Sequence, residues 1–396
     1  MATSSTIIEP EQQAAATIDG RKSLARRGWH FLLRGWRAWS AALEWIFGAL
    51  TLIVGLAVLA TIPVLQFLSL GYLLEVSGRV ARTGSLRAGF IGVRHAAQLG
   101  RMVVGVTLLM LPVWFAASME YSAWLIDPRS RATRGWAIAL VALSIVALVQ
   151  MASACLRGGR IRHFLVPRPI RTVQLSLEPG AYPRARDAVW DFFVGLRLPY
   201  YFWLGLRGFA GAVVWLLVPV SLLASASRLP GGWAGLVGVV GGALLALVLV
   251  HLPFLQAQFA AENHLAAMFD VPAMRRQFKR APVAFFVALL FTLVLALPLY
   301  LLKIEIVPRE AAWLPSLLFV VSIFPARLLT GWAMARANDR RTPRLWFWRW
   351  TSRLATIPVV LFYVVVVYFT QYLSWYGVWS LYEQHAFLVP APFLGL

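Results

Sequence analysis

The chain reads as a succession of long apolar runs separated by short polar, arginine-rich connections. Seven runs are about 20 residues or longer, enough for a helix to cross about 30 Å of hydrocarbon. They are Met102–Ile126, Gly135–Leu156, Tyr200–Ala226, Gly232–Leu255, Pro282–Leu302, Trp313–Met334 and Ala355–Trp375. Tryptophans at their ends (Trp124, Trp136, Trp203, Trp233, Trp313, Trp332 and Trp375) mark the interfacial belt of membrane helices. An eighth run, Leu43–Val76, is too long for one upright span and too short for two. Pro63 lies inside it, where proline breaks or kinks a helix, and Gly71 follows. Two arrangements fit this run: one long tilted helix, or a broken hairpin that returns to the side from which it entered.

Loop charge separates these arrangements. Segments 77–101, 157–199, 256–281 and 335–354 carry five, eight, four and six Lys+Arg, whereas 127–134, 227–231 and 303–312 carry three, one and two. By the positive-inside rule the first set is cytoplasmic, and the tail after Arg353, with no Lys or Arg, lies outside. The N-terminal cations Arg21, Lys22, Arg26, Arg27, Arg34 and Arg37 place that end inside as well. An even number of crossings through Leu43–Val76 is then required, which the hairpin supplies. The predicted fold is all-α: a polytopic bundle of about seven full spans plus a broken N-terminal helical hairpin, with cytoplasmic interfacial helices.

The expected organisation is a disordered tail over 1–22, an interfacial amphipathic helix over 23–42, a transmembrane domain over 43–378 and a C-terminal tail over 379–396. In the second of these, Trp29, Leu32, Leu33 and Trp36 recur at helical spacing, with Arg27, Arg34 and Arg37 turned elsewhere. The stretch 340–350 interleaves Arg340, Arg341, Arg344 and Arg349 with Trp346, Phe347, Trp348 and Trp350, a composition for anchoring beside membrane helices rather than for nucleic acid. Ala188–Leu196 reads as a short interfacial helix. A parallel internal duplication is suggested by Pro63-Val64-Leu65-Gln66 and Pro253-Phe254-Leu255-Gln256, each followed by a basic segment and then by Leu111-Pro112 or Leu297-Pro298. Gly231, Gly235, Gly238 and Gly242, with Gly208 and Gly211, predict a close helical hairpin across Arg228–Pro230.

Composition supports the same class. The 396 residues are 60% hydrophobic and 13% charged, against about 25% charged in a soluble domain. A single cysteine, Cys155, excludes a disulfide scaffold. The net charge of +21 implies anionic lipid as a partner, and the scarcity of lysine (Lys22, Lys279 and Lys303) fits a GC-rich bacterial genome. The first 42 residues contain no apolar core of a cleavable signal.

Candidate chemistry is sparse. Polar groups inside hydrocarbon are costly and therefore the first suspects. Arg207 and Arg327 lie near the cytoplasmic side of their spans, where snorkelling to the interface is the first expectation. With Gln66, His251, Gln256, Glu262 and His264 they form a candidate cytoplasm-facing polar vestibule, with Gln150, Gln258 and Asn263 nearby. Arg79, Arg82, Arg87, Arg340 and Arg341 are candidate lipid-phosphate contacts. Glu120 is expected to pair with Arg129 or Arg134. The six histidines show no metal-ligand spacing, no nucleophile elbow occurs, and no catalytic residue, metal or cofactor is implied.

The stretch Leu68-Ser69-Leu70-Gly71-Tyr72-Leu73-Leu74-Glu75-Val76, leading into a basic loop, resembles a pattern in uncharacterised bacterial multi-pass membrane proteins. Leu265-Ala266-Ala267-Met268-Phe269-Asp270 is similar to the same kind of family. The resemblance implies a bacterial inner membrane and supplies no activity. Three functions follow from the sequence: a membrane-embedded scaffold or accessory protein binding anionic lipid and partner helices or a second copy; a transporter of small solutes or lipid; and, with least support, a membrane enzyme acting on lipid.

Overall fold

The computed structural model describes residues 10–156, 161–166, 180–301, 313–374 and 377–383. Every regular element among them is helical, and eight helices are long and apolar enough to cross a membrane, so the chain is an all-α polytopic bundle. In chain order the helices are α1 (Pro10–Thr61), α2 (Gln66–Thr83), α3 (Val93–Ile126), α4 (Arg131–Leu156), α5 (Ile161–Leu165), α6 (Ala181–Gly195), α7 (Leu198–Ala226), α8 (Gly232–Glu262), α9 (Val271–Arg280), α10 (Pro282–Leu301), α11 (Trp313–Asn338), α12 (Trp346–Leu373) and α13 (Ser380–Glu383). Cys155, Trp313 and Trp375, the prolines of 167–179 and the tail beyond residue 383 lie outside the described side chains.

The ambiguous run Leu43–Val76 is a broken hairpin, as the loop charges required. The helix stops at Thr61 and resumes at Gln66. Pro63 lies in the turn, and Val64 follows at φ 71°, a strained position for a β-branched residue. Ser69 Oγ donates to Leu56 O across the hairpin at 2.6 Å. The tilted single helix is thereby excluded. In the N-terminal segment, backbone helix begins at Pro10 and runs unbroken through residue 42 into the span, and the side chains before residue 34 lie outside the described ones. The reason is local, since no proline or helix-ending glycine motif occurs before Pro63 after the helix has begun. A short helix stands before α7 over Ala181–Gly195, beginning seven residues ahead of the expected Ala188–Leu196.

The return arm α2 occupies the centre. Of its residues, Leu68 to Gly78 are all buried, packed against α7, α8 and α11. Glycines make this possible on three sides. A Cβ on Gly71 would overlap the carbonyl of Tyr201 in α7, one on Gly205 of α7 would overlap Phe67 O, one on Gly78 would overlap Ala260 in α8, and one on Gly331 of α11 would overlap Ser77 O. In hydrocarbon there is little hydrophobic drive between helices, so such backbone approach is a main source of packing energy. The glycines of the α7–α8 hairpin divide differently from expectation. Gly241 meets Leu222 and Leu223, Gly238 meets Ala226 more loosely, and Gly242 faces Val364 of α12, while Gly231 and Gly235 have open space.

An internal repeat is visible in the backbone, in a register other than that suggested by Pro63 and Pro253. After α2 comes Gly84 in the left-handed region (φ 72°), Ser85 extended, and a 3-10 turn Leu86–Gly89 ending at Phe90 (φ −84°, ψ 71°). After α8 comes Asn263 left-handed (φ 58°), His264 extended, and a 3-10 turn Leu265–Phe269 ending at Asp270 (φ −81°, ψ 67°). Leu86, Ala88 and Phe90 recur as Leu265, Ala267 and Phe269. Each turn follows the second helix of a hairpin, α1–α2 and α7–α8; the first leads into the long helix α3 and the second into short α9 and then α10. The two Pro-x-Leu-Gln pieces are not equivalent, since Pro63 is in a turn and Pro253 is inside α8.

Candidate functional site

Two groups of buried polar side chains lie where α2, α7, α8 and α11 meet, toward the end that carries the basic loops. Glu75, only 7% exposed, is the centre of one group. Arg82, two turns along α2, donates from Nη2 to Glu75 Oε1 at 2.6 Å, and Tyr200 Oη donates to Oε2 at 2.8 Å. Arg82 also donates from Nη1 to Ala260 O and Ala261 O at 2.9 and 3.1 Å. These carbonyls belong to the last turn of α8, where unpaired oxygens and the helix dipole both favour a cation. One arginine thus closes a buried carboxylate and a helix end together.

Arg327 and Gln256 form the second group. Arg327 is 3% exposed and Gln256 fully buried, and Arg327 Nη2 donates to Gln256 Oε1 at 2.7 Å. The snorkelling expected of Arg327 does not occur. The residue sits 11 positions before the end of α11, about 17 Å along the helix, and turns sideways into the bundle. Arg207 comes nearer to that expectation. Half-buried, it reaches the end of α8, donating from Nη2 to Asn263 Oδ1 at 2.9 Å, with its guanidinium over Phe259.

The remaining vestibule candidates do not converge on this place. Gln66 is buried at the hairpin tip, 17 residues from the Thr83 end of α2 and therefore about 26 Å away along the axis. His251 bonds Leu247 O on its own helix at 2.7 Å. Glu262 accepts from Gln258 Nε2 at 3.1 Å and faces exposed His264 at 3.5 Å, at the rim rather than inside. Gln150 is occupied elsewhere, donating to His163 O and Phe164 O. Among the described residues Glu120 makes no ion pair, and Asp127 instead accepts from Arg129 N. The same residues contain no group of three His, Cys, Asp or Glu placed for a metal.

Of the lipid-phosphate candidates, Arg87 and Arg341 are exposed and Arg79 and Arg340 half-buried, while Arg82 is spent on Glu75 and α8. Their loops share one end of the bundle: Arg344 N bonds Lys279 O, Gly89 lies on Leu328, and Arg82 meets Ala260. Trp346, Phe347, Trp348 and Trp350 stand exposed beside them on the first turns of α12. A separate apolar cavity of about 300 Å³ opens between α10 and α12, lined by Leu293, Leu297, Phe362 and Tyr363 among others, with no charged side chain.

Sequence reasoning passed over Glu75 and Tyr200 as site residues. The signal for Glu75 was present, since a carboxylate within an apolar run is costly unless partnered. Tyr200 has no comparable signal, because a tyrosine at a helix start is common at interfaces. No protein-family profile matches the chain, and no curated protein or solved structure matches it either. The resemblance at Leu68–Val76 therefore brings no family assignment, and the functional reading rests on the geometry.

Proposed function

We propose that this protein is a membrane-embedded scaffold of the bacterial inner membrane, with its arginine-rich end cytoplasmic and its C-terminus outside. That end binds anionic lipid headgroups and, through them or beside them, partner helices or a second copy. The observation that supports this reading is the gathering of the exposed basic loops, with the exposed aromatic turns of α12, at one end of an apolar bundle. Cations beside an anionic leaflet gain about 1 kcal/mol each, and Trp and Phe rings seat at the headgroup level. The internal charges favour a scaffold as well: Glu75 is closed by Arg82 and Tyr200, which is the behaviour of a structural polar core.

The test compares the parent with an Arg87→Gln, Arg340→Gln, Arg341→Gln variant in nanodiscs of mixed phosphatidylglycerol and phosphatidylcholine. Enrichment of the anionic lipid around the protein is measured by mass. Three cations at about 1 kcal/mol each predict a loss of preference on the order of a hundredfold, smaller at high salt. An unchanged ratio at low salt rejects the proposal.

A further inference from the structure

Two arginines near the end of α8 are held by carboxamides rather than carboxylates. Arg207 of α7 binds Asn263, and Arg327 of α11 binds Gln256, seven residues earlier on α8 and about 10 Å deeper. An amide oxygen accepts a hydrogen bond but cancels no charge. Arg82, the third arginine at this junction, is the one whose charge is balanced, by Glu75. Among the described residues no carboxylate pairs with Arg207 or Arg327, so two positive charges stand in line from the rim inward. The inner one is enclosed, and an enclosed cation facing a neutral partner carries a desolvation penalty that a counter-charge would relieve.

The position is also singular in the fold. Gly78 of α2 lies against Ala260 of α8, and Ser77 of α2 against Gly331 of α11. These three helices run side by side in the same sense, so Gln256 and Arg327 lie one turn deeper than that contact, level with Leu74. This is the seam where α2 of the first repeat enters the second, and in secondary transporters substrate and ion sites lie at the interface between repeats. The first repeat has no counterpart: Ser77 stands where the second has Gln256.

We infer that Arg327 and Gln256 form a binding site for one oxyanion, a carboxylate or phosphate, admitted from the arginine-rich end past Arg207 and Asn263. The guanidinium fork matches two oxygens of such a group, and the Gln256 amide fixes the fork's orientation. This function is independent of the lipid-binding surface, which uses other arginines.

The experiment uses the full chain in detergent and two probes: inorganic phosphate, a free oxyanion, and oleate, a carboxylate carried on a hydrocarbon tail. Calorimetry gives the affinity for each, and whichever binds names the source. Arg327→Gln weakens binding tenfold or more, Arg327→Lys less, and Arg228→Gln not at all. Gln256→Glu supplies an internal counter-charge, so it abolishes binding and raises the thermal unfolding temperature. The assignment is overturned if neither probe binds the parent, or if Arg228→Gln weakens binding as much as Arg327→Gln. It is equally overturned if folded Gln256→Glu binds like the parent.

Discussion

Glu75 shows how a charge is kept inside an apolar bundle. Its two oxygens accept from Arg82 and Tyr200, and Arg82 donates from Nη1 to two carbonyls in the last turn of α8. Removing one partner of such a group leaves the other without compensation. Glu75→Leu is expected to cost about 3 kcal/mol, the lower part of the range for breaking a buried pair, because the Arg82 side chain is 41% exposed and can turn to water. Glu75→Gln keeps the contact with Tyr200 and costs less. Thermal unfolding in detergent ranks the variants; equal midpoints for Glu75→Leu and the parent would show that the pair contributes nothing. The same residues explain what the sequence concealed. Arg82 resembled a surface lipid contact because its neighbours along the chain are polar, and only the adjacent end of α8 turns it inward.

At the scale of elements, α2 is set by glycine. Its 18 residues are fewer than most spans here have, and it carries Glu75, Arg79 and Arg82, so hydropathy alone does not single it out. What holds it is backbone contact on three sides. Gly71→Ala and Gly205→Ala each place a methyl group onto a carbonyl of the neighbouring helix, and neither helix can yield without losing its own packing. Each should destabilise by about 3 kcal/mol, the upper part of the usual overpacking range. Gly55→Ala meets nothing within 4 Å on α1 and should be neutral or gain up to about 1 kcal/mol in helix propensity. Folded yield and thermal midpoint in one detergent read out all three. A Gly71→Ala protein as stable as Gly55→Ala would remove α2 from its central role. The break before α2 was legible in Pro63, whereas the four glycine contacts were not, since a lone glycine in an apolar run does not name its partner.

Across the whole molecule, the repeat gives two helical hairpins followed by the same left-handed turn and 3-10 segment, and α12 stands outside the pairing. Both hairpins begin and end at the basic end, so the two units share one orientation. That arrangement makes a definite prediction for labelling in intact cells. In a Cys155→Ser background, Ser227→Cys in the α7–α8 turn should react with a membrane-impermeant maleimide, and Ser85→Cys after α2 should react only once the membrane is opened. Labelling of Ser85→Cys from outside would invert the proposed orientation and remove the cytoplasmic lipid surface with it.

The sequence by itself determined the class and the layout: apolar runs of about 20 residues state that helices cross hydrocarbon, Pro63 states where one of them breaks, and arginine counts state which loops share an end. The tertiary structure alone decided which polar groups meet, bringing Glu75 to Tyr200 across 125 residues, Arg82 to Ala260 across 178, and Arg327 to Gln256 across 71. The reason lies in the solvent. A soluble helix marks its inner face by an apolar stripe, but a helix in lipid is apolar on every side, so its neighbours are chosen by backbone shape and a few polar bonds, and neither is written in the periodicity of the chain.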